Sequence, residues 1–215
     1  MKANVHHLPI TKHARVYTYG NNIDKADVVW LVAHGYGYLS EKFIQRFSDL
    51  DADKHFVIAP EALNRFYLNG LSGKVGASWM TTEDRENEIL DYMQYLDNVF
   101  LTFNLHKVRK LVVLGFSQGG STVARWFLNT KHPIETLVFW GSSIPDEVLN
   151  SEKIHTAKIF TLIGDEDEFV QKDTLDTIMK KYNNVNLKFS HIFYKGGHKI
   201  LTQPLMQLID KLKLS

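Results

Sequence analysis

Six short runs of β-branched, aliphatic and aromatic residues recur along the chain, separated by charged and turn-forming stretches: 28–33 (VVWLVA), 56–59 (FVIA), 108–114 (VRKLVVL), 136–140 (TLVFW), 158–163 (KIFTLI) and 187–194 (LKFSHIFY). Each has the length and composition of a strand. Several are apolar at nearly every position rather than at alternate ones. That is the pattern of strands covered on both faces, and it predicts a mainly parallel sheet between layers of helices. Between the runs the period changes. Residues 83–103 carry Ile89, Met93, Leu96 and Phe100 on one helical stripe, with Thr82 placed to cap the start and Glu83 and Asp84 in the first turn. Helices are also predicted over 118–129, 172–182 and 202–212. The alternation of strand and helix specifies an α/β fold with right-handed crossovers.

One stretch fits neither period. Residues 60–81 hold Asn64, Asn69, Gly70, Ser72, Gly73 and Gly76 among Phe66, Tyr67 and Trp79. The segment is too long for a plain connection and too aromatic for a linker, so it is expected to be irregular and to cover part of a functional site. No repeat, low-complexity tract or Pro, Gly and Ser-rich linker divides the 215 residues, and a single domain is expected. Lys and Arg total 25 against 24 Asp and Glu, which leaves no positive excess for binding nucleic acid or an anionic membrane. No apolar run approaches the ~18 residues that span a bilayer, and the N-terminal residues lack the apolar core of a signal peptide. With no cysteine, disulfides, thiolate metal sites and a cysteine nucleophile are excluded; a soluble, cytoplasmic protein is expected.

The chemistry is concentrated in Gly115-Phe116-Ser117-Gln118-Gly119, a G-x-S-x-G motif that follows one apolar run and opens a helical pattern. A serine on so sharp a strand-to-helix turn needs minimal neighbours two residues to either side, and Gly115 and Gly119 provide them. The helix start directs the Gln118 amide toward an oxyanion formed at an attacked carbonyl. A serine hydroxyl needs a base, and the base needs a carboxylate that fixes its tautomer. In an α/β-hydrolase both follow the serine, at the ends of late strands. The run 158–163 leads into Gly164-Asp165-Glu166-Asp167-Glu168, and the run 187–194 leads into Lys195-Gly196-Gly197-His198. His198 is thereby the base, and four neighbouring carboxylates compete for the third role. Of the other histidines, His6, His7 and His13 form no convincing ligand set, and no metal is expected. His34-Gly35-Tyr36-Gly37 follows the run 28–33 and is similar to the His-Gly loops that supply a second oxyanion donor, here the Tyr36 amide, with the His34 side chain bracing the loop.

Together HGYG, GASWM, GFSQGG, GDEDEFV and GGH resemble the phospholipase/carboxylesterase family of α/β-hydrolases, which includes bacterial carboxylesterases and acyl-protein thioesterases. The resemblance implies an α/β-hydrolase fold, Ser117, Asp167 and His198 as the catalytic triad, Tyr36 and Gln118 as oxyanion donors, and no cofactor. The family loop usually reads G-D-x-D-P-x-V-P, so Asp167 matches the orienting acid and Asp165 a residue that fixes the turn. Glu168 and Gln171 replace its two prolines. After His34-Gly35 the family commonly continues with an Asp-Gly loop, whereas this chain has Tyr38-Leu39-Ser40, so the substrate mouth is expected to differ. Tyr38, Phe66, Tyr67, Trp79 and Met80 are the pocket candidates. The expected activity is hydrolysis of a small acyl ester through an acyl-enzyme. The alternatives are a thioesterase and a non-catalytic ligand-binding protein of the same fold.

Overall fold

The apolar runs pair into one sheet in the computed structural model, which describes residues 3–213. In chain order the strands are β1 (Val16–Tyr19), β2 (Val28–Ala33), β3 (His55–Pro60), β4 (Asn64–Tyr67), β5 (Val75–Ser78), β6 (Leu111–Phe116), β7 (Thr136–Trp140), β8 (Lys158–Gly164) and β9 (Phe189–Tyr194). Seven of them form the central sheet in the order β1-β3-β2-β6-β7-β8-β9, all parallel except β1, which runs antiparallel along β3. β4 and β5 form a separate antiparallel pair.

Alternation of side chains explains why the central strands are apolar throughout. Along β2, Val29, Leu31 and Ala33 enter one buried layer while Trp30 and Val32 enter the other. β7 divides in the same way, with Leu137 and Phe139 on one face and Val138 and Trp140 on the opposite one. The first layer is closed by α2 (Arg85–Thr102), α3 (Gln118–Asn129), the short α4 (Asp146–Leu149) and α5 (Lys172–Asn184), through residues such as Leu96, Trp126, Leu149 and Tyr182. The second is closed by α1 (Ser40–Phe43) and α6 (Thr202–Lys213), through Phe43, Leu205 and Leu208. Each large side chain so buried is worth about 1.5–3 kcal/mol relative to exposure, so both layers hold the sheet between helices.

β2, β7, α3 and the start of α5 agree with the sequence reading, and the mostly parallel α/β sheet is present. Several expectations need correction. Residues 60–81 are irregular only in part, because β4 and β5 pair Asn64 with Ser78 and Tyr67 with Val75 across a Gly-rich turn. The long turn, 68–74, hid the pairing from a reading based on tight hairpin signals. The run at 108–114 begins as a strand only at Leu111, since Arg109 lies in the turn before it, ion-paired to Asp27, while the strand continues to Phe116. The run at 187–194 starts as a strand at Phe189. Thr82 does not cap α2; the cap position is Asp84 at φ 48°, and Asn87 Nδ2 donates to its carboxylate at 2.8 Å. β1 and the short α1 were not anticipated, both being only four residues long.

Candidate active site

β6 ends at Phe116 and α3 begins at Gln118, so a single residue, Ser117, makes the turn, at φ 53° and ψ −120°. Such a backbone costs of order 1–3 kcal/mol for a residue with a Cβ and persists only where its surroundings enforce it. The Ser117 amide donates to Trp140 O at 2.9 Å, tying the turn to the end of β7, and its carbonyl accepts from Gly120 N at 2.9 Å. The flanking glycines are there for space. A Cβ on Gly115 would lie 2.3 Å from Gly119 O, and one on Gly119 would lie 2.2 Å from Ala33 O.

The loop after β8 carries Asp167, the candidate acid. The Asp167 side chain is fully buried, and its Oδ1 accepts from the amides of Phe169 at 2.9 Å and Val170 at 3.0 Å. Its Oδ2 stands 2.8 Å from His198 Nδ1. That geometry suits a neutral imidazole protonated on Nδ1, which leaves Nε2 free to accept a proton. Two of the three neighbouring acids are engaged elsewhere: Asp165 Oδ1 accepts from Gly196 N at 2.9 Å, and Glu168 Oε2 accepts from His198 N at 3.2 Å. Both bonds tie the β8 loop to the β9 loop, and the Glu168 tether occupies the place of a rigid proline. The imidazole is 9% exposed and touches the rings of Phe116 at 4.8 Å and Phe169 at 4.7 Å. Its position is also set by Gly141, at φ 57° immediately after β7, where a Cβ would come within 2.8 Å of His198 Cε1. Gly141 thus admits the imidazole over the end of β7, beside the Ser117 turn that β7 also anchors. Sequence reasoning missed Gly141 and the Glu168 tether; a Gly directly after an apolar strand was the only available signal for the former.

On the other side of Ser117, the loop after β2 carries His34 to Tyr38. His34 is buried, with Nδ1 2.7 Å from Gly35 O and Nε2 accepting from Ala62 N at 3.0 Å. Burial pushes its pKa down to about 4, against the smaller opposing pull of the Gly35 carbonyl and the Glu61 charge, so the ring is neutral and braces the loop. Among the described residues neither the Tyr36 amide nor the Gln118 amide has a protein acceptor. The Gln118 side chain accepts from Trp79 N at 3.1 Å and donates to Met80 O at 2.8 Å, clamping the end of β5 to the start of α3. Trp79 is buried against His34 and Tyr92 and donates to His34 O at 2.8 Å, which makes it a support behind the loop. Tyr38 packs edge-on against Phe43 and Phe116, and Met80 lies against the core. The Phe66 ring lies tilted against the exposed Tyr36 ring, their centroids 5.1 Å apart, and Tyr67 is half-exposed.

The sequence profile of the dienelactone hydrolase family matches residues 14–203. The chain belongs to that family. It is therefore a hydrolase, and among solved structures its fold is similar to that of esterase PE8 (19% identity, 93% of this chain and 98% of that one, TM-score 0.69). It is also similar to acyl-protein thioesterase 2 of Zea mays (19% identity, 94% and 99%, TM-score 0.66) and to the carboxylesterase of Bacillus cereus (14% identity, 92% of each chain, TM-score 0.63). No curated protein sequence matches the chain. Among the described residues no helix is long and apolar enough to cross a membrane, and no group of three or more His, Cys, Asp or Glu is placed to hold a metal ion. His7, one of the N-terminal histidines, instead sits 3.2 Å from an Asp84 carboxylate oxygen.

Proposed function

We propose that this hydrolase is a serine carboxylesterase in which Ser117, His198 and Asp167 act together. The observation that carries the reading is the 2.8 Å contact between His198 Nδ1 and the buried Asp167 carboxylate, with the imidazole lying beside Phe116, the residue before Ser117. In the first step Ser117 Oγ attacks the ester carbonyl while its proton passes to His198 Nε2, and the imidazolium is stabilised by Asp167. The carbonyl oxygen takes up the negative charge, and the Tyr36 and Gln118 amides, which have no acceptor among the described residues, are the donors that fit it. Collapse of the intermediate breaks the C–O bond, the alcohol leaves with the proton from His198, and water then releases the acid from Ser117 by the same sequence. No step calls for a metal or cofactor. The hairpin of β4 and β5 buttresses one wall of this site through the Gln118 clamp and the tilted contact of Phe66 with Tyr36. A cytoplasmic setting fits a composition without cysteine, which loses nothing in a reducing compartment.

A fluorophosphonate probe should give one adduct, on Ser117, and Ser117→Ala should lower turnover of a short-chain ester by on the order of 10⁶ while the fold persists. A folded protein that does not react with the probe, or a variant that keeps a tenth of the activity, overturns the assignment. Parallel assays on acyl-CoA thioesters measure whether the same acyl-enzyme chemistry prefers a sulfur leaving group.

A further inference from the structure

The ring of Phe169 stands apart from the other aromatics around the site. It is 70% exposed, yet its centroid lies 4.7 Å from that of the His198 imidazole. The other ring on that imidazole, Phe116, is almost fully buried and belongs to the core between sheet and α6. Nothing in the fold requires an aromatic side chain at residue 169, because it covers little of the core. Its backbone is nonetheless fixed, since its amide donates to Asp167 Oδ1 at 2.9 Å. The ring is therefore presented to solvent from a rigid base, directly beside the group that would move the proton.

The order of the sheet decides which part of a substrate meets it. Ser117 follows β6, the loop of Tyr36 follows β2 on one side, and the Asp167 to Phe169 loop follows β8 on the opposite side, beyond β7. Neighbouring strands are about 4.8 Å apart, so the Tyr36 amide and the Phe169 ring flank the serine from opposite directions. The carbonyl oxygen belongs on the side of the amides. The leaving oxygen belongs on the side of His198, because it must collect the proton from Nε2 as the C–O bond breaks. A ring lying against the imidazole therefore contacts the group attached to that oxygen.

We propose that Phe169 is a specificity-determining residue that reads the alcohol half of the substrate, and that the preferred alcohol carries a planar aromatic ring. This rests on the ester hydrolase reading above. An exposed, anchored ring gains more from an offset or edge-on aromatic partner than from a puckered saturated ring of similar size. The gain is realised while the alcohol is departing, so it acts on kcat/KM.

The test compares benzyl acetate with cyclohexylmethyl acetate, which share the acyl group and release primary alcohols of similar size and leaving ability. The wild-type enzyme should favour the benzyl ester in kcat/KM by about five-fold or more, a ratio of the size measured for aromatic pairs. Phe169→Leu should bring the ratio close to one, and Phe169→Tyr, which restores a ring, should keep it. Thermal melts of each variant establish that the fold is intact. Equal turnover of the two esters by the wild type overturns the proposal, and so does a preference that survives in Phe169→Leu. Failure of the wild type to hydrolyse either ester or to react at Ser117 overturns the esterase reading itself, a separate result.

Discussion

At the scale of single residues, the site assigns distinct tasks to carboxylates that stand side by side in the chain. Asp167 and Asp165 are two residues apart, yet one is buried against an imidazole and two amides while the other caps the Gly196 amide. Asp167→Asn should lower kcat by roughly 10⁴, because an amide in that position allows the imidazole to adopt the unproductive tautomer. Asp165→Asn keeps an oxygen acceptor for Gly196 N and should act mainly on loop stability. Measuring kcat and melting temperature for both variants separates the two roles; the assignment fails if Asp165→Asn is the more damaged in kcat. Glu168 shows how a rule of loop rigidity can be met by other means. Where the resembling family has a proline, this chain uses a side-chain carboxylate bonded to the His198 amide at 3.2 Å.

At the scale of elements, the turn at Ser117 is held tight because α3 packs almost without clearance against the ends of β2 and β6. Gly119 is where the contact is tightest. A methyl group there would sit 2.2 Å from Ala33 O and 2.7 Å from His34 O, both of them backbone atoms that cannot rotate away. Gly119→Ala should therefore push α3 away from the His34 loop, cost roughly 1–3 kcal/mol of stability by overpacking, and separate the Tyr36 and Gln118 amides. The expected result is a lowered melting temperature together with a loss in kcat exceeding any change in KM. A variant that melts and turns over like the wild type would show that this contact does not set the oxyanion geometry. The hairpin of β4 and β5 is the second element with a task beyond its own stability. It reaches the site through the Gln118 side chain and through Gly37 N, which donates to Ala77 O at 2.9 Å, so loop, hairpin and helix support one another.

At the scale of the whole molecule, burial of titratable side chains couples stability to pH. Burial holds both His34 and His191 down to about 4, and among the described residues His191 Nε2 has no hydrogen-bond partner. In the unfolded chain these rings titrate near ~6.5, so between that value and about 4 the unfolded state binds protons that the folded state refuses. Stability is accordingly greatest above the unfolded value and is lost as the pH falls through the window, by on the order of 3 kcal/mol for the deeply buried His34 and less for the partly exposed His191. Melting temperature should drop between about pH 7.5 and pH 4.5, and His191→Leu should make that drop smaller. A wild-type melt unchanged over the interval refutes the coupling. Within this frame, much was legible from order along the chain. Apolar runs at 28–33, 136–140 and 158–163 specified buried parallel strands because both of their faces had to be covered. The glycines around Ser117 specified a strand-to-helix turn because nothing larger fits. Side-chain pattern is local, however, and pairing across space is not. The residues 68–74 connecting β4 and β5 are too long for a tight-turn signal, so only tertiary contacts with the His34 loop and Gln118 reveal a hairpin. Likewise four carboxylates in a row are equivalent on paper, and what distinguishes Asp167 is the fold: the β8 loop buries that one side chain beside His198 and turns Asp165 and Glu168 toward the backbone of the β9 loop.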